Sequence, residues 1–185
     1  MSPDPYDPER VAKLTSPNAF RYCSGEELRA FLEPAPDWRV ADFGSGGGIF
    51  TSELAPVVET VFAVDVRPSL HAAYRDHGVP ANVTPITADF TALPFPDDAL
   101  DGGVSIRTYH LGFEPALEEV ARVLRPAGRL VIVDWSATGA GERDAHDEDE
   151  YRDLATVQSA LLEAGFRISD AHERRETFVV VGTKR

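Results

Sequence analysis

Val40-Ala41-Asp42-Phe43-Gly44-Ser45-Gly46-Gly47-Gly48-Ile49-Phe50 joins a short apolar run to a glycine-rich turn and then to a helical pattern. Glycines allow φ > 0 and leave no Cβ atoms, so a ligand can lie against the main chain. The unpaired N–H groups where the helix begins favour a carboxylate or phosphate there. Spacing narrows the ligand. A dinucleotide fingerprint places glycine at the first, third and sixth positions, but Gly44 and Gly46 are followed by Ile49. The chain reads instead as D-x-G-x-G-x-G, with Asp42 two residues before Gly44. Further acids end apolar runs: Asp65 closes Thr60–Val64, and Asp89 with Phe90 follows Asn82–Thr87. Arg107, Tyr109 and His110 follow Gly103–Ile106, and Asp134 and Trp135 end Leu130–Val133.

The elements that must position these residues alternate. Strands are expected over Val40–Phe43, Thr60–Asp65, Asn82–Thr87, around Gly103–Ile106 and over Leu130–Trp135, from length and β-branching. Helices are expected from Ile49 to Ala55 (ended by Pro56), from Pro68 to Asp76 (closed by Gly78), from Glu114 to Leu124 and from Tyr151 to Ala164. Leu117, Val120, Ala121 and Leu124 form one apolar stripe suited to covering a sheet. Arg125–Arg129 reads as a turn, Pro85 points to an edge strand, and Ala137–Asp149 reads as an acidic surface loop. Phe166–Glu173 and Thr177–Thr183 form a closing antiparallel hairpin. Residues 1–8 read as frayed; a helical pattern from Glu9 breaks near Ser16-Pro17, and Ser24 with Glu27 resembles a capping box for a helix to Leu32.

Strand–helix alternation predicts an α/β fold, a Rossmann-like three-layer αβα sandwich around a seven-stranded, mostly parallel sheet with a C-terminal antiparallel hairpin. The whole chain is expected to be one domain, with a helical cap or lid over residues 1–37 and a core over 38–185. Ligands of such sheets lie at the carboxyl ends of the strands, so the acids and glycines above converge by topology.

Composition excludes several classes. Acids number 31 against 18 bases, a formal charge of −13, and only Lys13 and Lys184 are lysines. Such a surface repels nucleic acid and anionic membrane, and it resembles proteins of salt-loving organisms. Cys23 stands alone, so neither an intrachain disulfide nor a cysteine metal cluster is expected. No metal site is expected; His71 and His77 share one helix and are expected to face solvent. The start has no signal-peptide pattern and no run approaches a membrane span, which predicts a cytoplasmic protein.

With these motifs in order, the stretch from Val40 to Trp135 resembles the small-molecule class I methyltransferases that use S-adenosylmethionine (SAM), closest to the ubiquinone/menaquinone-biosynthesis-like, or type 11, branch. The proline-rich run Leu93–Asp101 and the turn Leu124–Arg129 also resemble family features. The resemblance implies SAM as cofactor and a small-molecule acceptor. It implies Asp65 on the ribose hydroxyls, Asp89 on the adenine amino group with Val66 or Phe90 against the ring, and backbone at Gly44, Ser45, Gly46 and around Ser105 to Arg107 on the methionine part. Gly48 completes the loop, and Asp42 binds or braces it. Arg107 departs from the apolar or amide residue common in that family, so its side chain either forms a salt bridge or meets an anionic substrate.

Methyl transfer from a sulfonium asks mainly for alignment, and for a base only where the acceptor must lose a proton. His110, Tyr109 and Asp134 are the catalytic candidates by position. Phe20 and Tyr22, with Arg21, either close over the site opposite His110 and Trp135 or simply pack on the sheet. Two other readings compete with the enzyme: a catalytically silent SAM-binding protein acting through a partner, and an NAD(P) oxidoreductase, which Ile49 and the terminal hairpin disfavour.

Overall fold

The computed structural model describes residues 16–139 and 151–185. Expectations for residues 1–15 and for 140–150, including most of the acidic loop, lie outside the described residues.

The sheet has seven strands: β1 (Arg39–Phe43), β2 (Thr60–Asp65), β3 (Val83–Thr87), β4 (Leu100–Ile106), β5 (Leu124–Trp135), β6 (Phe166–Glu173) and β7 (Thr177–Lys184). Their order is β3-β2-β1-β4-β5-β7-β6. The first five run parallel, and β7 and β6 add an antiparallel pair beyond β5. Pro85 sits on β3, an edge strand, where a missing donor is tolerated.

Side chains alternate across the central strands and bury both faces, which is why those strands read as continuous apolar runs. On one face Val40, Val61, Ala63, Val131 and Val133 meet α1 (Gly25–Leu32), α2 (Ile49–Leu54) and Tyr74 of α3 (Pro68–His77). On the other, Ala41, Phe43, Val64, Leu130 and Ile132 meet Leu117 and Val120 of α4 (Leu117–Val123) and Val157 and Leu161 of α5 (Leu154–Glu163). Each fully buried Leu or Phe side chain contributes about 1.5–3 kcal/mol.

Several local expectations are corrected. Arg125–Arg129 is not a turn outside the strand: β5 starts at Leu124, and a register shift lets Leu124 pair with Leu100 and Arg129 with Gly102. Ala127, at φ 63°, takes up the irregularity. Pro56 lies inside a 3₁₀ turn, Ala55–Val57, that extends α2, because proline is tolerated at the start of such a turn. α4 and α5 begin later than Glu114 and Tyr151: a 3₁₀ turn, Glu114–Ala116, precedes α4, and Asp153 caps α5 by accepting from Thr156 N. Ser24 caps α1 by accepting from Glu27 N, but the Glu27 carboxylate turns to Arg174 instead of completing a capping box. His71 does not face solvent: it is 1% exposed, with Nδ1 3.2 Å from Thr87 Oγ1, because α3 lays Leu70, His71, Ala73 and Tyr74 inward.

Arg122 fastens the proline-rich run. Its guanidinium reaches the carbonyl of Phe95 at 2.9 Å, Asp97 at 2.8 Å and Glu119 at 2.7 Å, so a segment without regular structure is held at fixed height below the strand ends.

Candidate active site

The turn after β1 is built from both sides. Gly44 and Ser45 donate to the carbonyl of Val64 at 2.8 and 3.0 Å, tying the loop to β2. Gly44 has φ 80°, and a Cβ there would overlap the Thr108 side chain; a Cβ on Gly48, also at φ 80°, would overlap the Tyr74 ring. Thr108 and Tyr74 therefore press the loop from opposite sides, and only glycine fits between them.

Asp42 is buried beneath this loop and accepts from Thr51 Oγ1 at 2.6 Å. It braces the first turn of α2 through a side chain instead of through loop N–H groups. Burial pushes its carboxyl up to about 7, against the pull of the Thr51 hydrogen bond, and the charge of Asp65 adds to the rise.

Asp65, 3% exposed, joins the strand ends. Oδ2 accepts from Gly46 N at 3.0 Å, while Oδ1 accepts from Arg67 N at 2.9 Å and Arg67 Nε at 3.4 Å. A carboxylate has about four lone-pair sites, so hydroxyl donors still find acceptors there. Val66 follows and is 48% exposed, an apolar surface beside the acid. Ala88 N donates to Asp65 O at 3.2 Å, which brings the segment carrying Asp89 and Phe90 to the same edge. Asp89 is exposed; hydrogen bonds from Thr91 Oγ1 and N hold its carboxyl below the usual range. Phe90 packs on Phe113, ring centroids 5.3 Å apart. Ser45 Oγ and Ser105 Oγ are buried without a hydrogen-bond partner among the described residues, the signature of polar atoms awaiting a ligand.

At the ends of β4 and β5 lies a second group. Asp134 Oδ1 accepts from His110 Nδ1 at 2.7 Å and Trp135 N at 2.7 Å, and Oδ2 accepts from Tyr109 N at 2.5 Å and His110 N at 3.4 Å. The Asp134 carboxylate thus gathers four contacts and fixes the orientation of the His110 ring through Nδ1. Tyr109 is held apart from this chemistry: its ring lies against Phe113 and Phe178, and burial followed by the charge of Glu114 drives its hydroxyl above the usual range. Trp135 points to the other face, where its ring meets Tyr22 at 4.6 Å. Arg107, at φ 57°, places its guanidinium carbon 5.3 Å from the Tyr22 ring and 5.1 Å from the Trp135 ring. Phe20 packs on Phe50 at 5.8 Å.

Ion pairs fasten the segment carrying Phe20 and Tyr22. Arg21 meets Glu176 at 2.8 Å; Arg174 meets Glu27 at 2.5 Å and the Tyr22 carbonyl at 2.9 Å. Sequence reading found none of these partners, nor Thr51 or Arg67. Only Arg67 carried a signal, an arginine two residues beyond a strand-end acid. Cys23 is buried, which pushes its thiol up to about 12 and removes it as a nucleophile. Among the described residues no cluster of His, Cys, Asp or Glu could hold a metal, and no helix is long and apolar enough to cross a membrane.

Residues 41–132 match the methyltransferase domain family. The ubiquinone/menaquinone biosynthesis C-methyltransferase of Ectopseudomonas mendocina is 31% identical over 173 residues, a match covering 71% of this chain and 66% of that one, just under two thirds of its length. The demethylmenaquinone methyltransferase of Mycobacterium marinum is 35% identical over 111 residues, covering 58% of this chain and 46% of that one. A SAM-dependent methyltransferase from Aquifex aeolicus shares the fold at TM-score 0.83, with 24% identity over 97% of this chain and all (100%) of that one. A chain from the complex of the Haloferax volcanii Trm112 methyltransferase activator with a methyltransferase shares it at TM-score 0.79, with 18% identity over 95% and 94% of the two chains.

Proposed function

We propose that the protein transfers the methyl group of SAM to a small-molecule acceptor, a reading supported by the match of residues 41–132 to the methyltransferase domain family and by the fold shared with the SAM-dependent methyltransferase from Aquifex aeolicus. The observation that carries the reading is the hydrogen bond from Gly46 N to Asp65 Oδ2, which sets the acid ending β2 and the glycine loop at one fixed spacing. In this reading Asp65 takes the ribose hydroxyls and Asp89 the adenine amino group, with Val66 and Phe90 along the ring. Backbone at Gly44, Ser45 and Gly46 and around Ser105 to Arg107 flanks the methionine part, where the buried Ser45 and Ser105 hydroxyls find partners. Gly48 and Asp42 keep the loop in shape. Bound SAM supplies an activated methyl on a sulfonium.

The protein supplies alignment and a proton acceptor. In this reading His110, oriented by Asp134, takes the proton where the acceptor's oxygen, nitrogen or activated carbon must lose one. The curated relatives named above are C-methyltransferases and methyltransferases of quinone biosynthesis, which supports a small organic acceptor for this chain as well.

A second reading keeps SAM binding without catalysis, through a partner. The fold neighbour that occurs in a complex with a methyltransferase activator favours it, and the buried His110–Asp134 pair weighs against it. Calorimetry with SAM and S-adenosylhomocysteine tests the shared part: both should bind and NAD should not, and tighter binding of NAD would overturn the reading.

A further inference from the structure

Arg67 stands at the N-cap of α3, where local rules ask for a different residue, and its side chain makes no capping hydrogen bond there. Ser, Thr, Asp or Asn would satisfy one of the orphaned N–H groups of the first turn, and a cation at the positive end of a helix opposes the helix dipole. Both local costs fall on one residue. Its guanidinium turns back to the strand end instead, where Nε lies 3.4 Å from Asp65 Oδ1.

The carboxylate it meets is already engaged unevenly. Asp65 is 3% exposed, and each oxygen of a carboxylate offers two acceptor directions. On Oδ2, Gly46 N takes one at 3.0 Å, and among the described residues no donor takes the other. On Oδ1, Arg67 N takes one at 2.9 Å and Arg67 Nε approaches the second. The two backbone bonds have ordinary lengths and tie the acid to the main chain. The Nε contact is longer than an ordinary N–H···O bond, and the arginine side chain keeps 23% of its surface exposed, so it is the partner that an arriving hydroxyl displaces.

A vicinal diol brings two donors to these unequal oxygens. The hydroxyl that meets Oδ2 fills an empty acceptor direction in a buried group. The hydroxyl that meets Oδ1 only replaces a charged N–H that was there before it, and such an exchange gains less than a new bond.

Resting on the methyl-transfer reading with Asp65 at the ribose, we propose that Arg67 is a specificity residue for the nucleoside. By competing for Oδ1 it makes the site read one ribose hydroxyl strongly and the other weakly, so the protein accepts a deoxyribose form of its cofactor that lacks the weakly read hydroxyl. Arg67 acts through Asp65, and the sequence departs from a good helix cap at the one position from which a long side chain reaches back to that acid.

The test is titration calorimetry of S-adenosylhomocysteine and its 2′-deoxy and 3′-deoxy forms on the wild type and on Arg67→Met, which keeps an unbranched apolar stem and removes the guanidinium. On the wild type, one deoxy form should bind about tenfold more weakly than the parent and the other within about twofold of it. On Arg67→Met both should bind about tenfold more weakly than the parent, because Oδ1 then takes the second hydroxyl without competition. A purely structural role for Arg67 would change parent and analogues alike and leave these ratios where they were. The proposal is overturned if the wild type loses equally on both deoxy forms or on neither, or if the tolerated form stays tolerated by Arg67→Met. Should Arg67→Met not fold, the wild-type comparison decides alone. Failure of S-adenosylhomocysteine itself to bind would overturn the methyl-transfer reading and this inference with it, whereas tight binding with equal losses would overturn the role of Arg67 only.

Discussion

Asp65 Oδ2 accepts the backbone N–H of Gly46 at 3.0 Å, so the acid ending β2 and the loop leaving β1 move as one unit. Removing that carboxylate leaves the Gly46 N–H unpaired and, in the proposed binding mode, takes away the partner of the ribose hydroxyls.

Asp65→Ala should therefore weaken SAM binding by about 2 kcal/mol or more, roughly 30-fold, with Asp65→Asn between the two because it retains one acceptor. Titration calorimetry measures this directly. Unchanged affinity in Asp65→Ala would remove Asp65 from the ribose.

Asp42 makes stability depend on pH. Its carboxyl is raised from the usual 3.8 to about 7, so the folded protein keeps a proton that the unfolded chain releases. Stability from this group is complete below the unfolded value and is lost as pH rises through about 7. Asp42→Asn keeps an acceptor for Thr51 and abolishes the titration. The melting temperature of the variant should gain on that of the wild type between about pH 4 and 7. A constant difference over that range would contradict the assignment.

How much of this was legible in the sequence depends on what each residue touches. β1, β2 and the latter part of β5 announced themselves because both their faces are buried. The glycine loop and Asp65 were legible because they obey local spacing. The start of β5 was hidden because Arg125-Pro126-Ala127-Gly128 has turn composition, and only pairing with β4 shows it to be an irregular strand. His71 was misread because a polar residue gives no hint that a neighbouring strand will supply Thr87. The bonds from Arg174 to Glu27 and from Arg21 to Glu176 span 147 and 155 residues, and nothing in local composition encodes them.

Those ion pairs tie the segment from Pro17 to Leu32 to the β6–β7 turn, and we expect it to behave as a fixed cover. Amides from about Ala19 to Leu28 should resist hydrogen exchange with and without SAM, and Arg174→Ala should expose them while leaving the sheet protected. Protection that appears only with ligand would show a moving lid instead.

The acid excess predicts a salt requirement. With 31 acids against 18 bases, screening should relieve self-repulsion, and the melting temperature should climb from dilute buffer to molar KCl. A flat profile would argue against adaptation to salt.

Incubation with methyl-labelled SAM and a small-molecule cell extract tests methyl transfer most directly. Label should pass to the small-molecule fraction, fall sharply in His110→Gln, and fall in Asp65→Ala until SAM is raised about 30-fold. SAM bound but no label transferred, under conditions where the wild-type fold is intact, would contradict the enzyme and leave a silent SAM-binding protein.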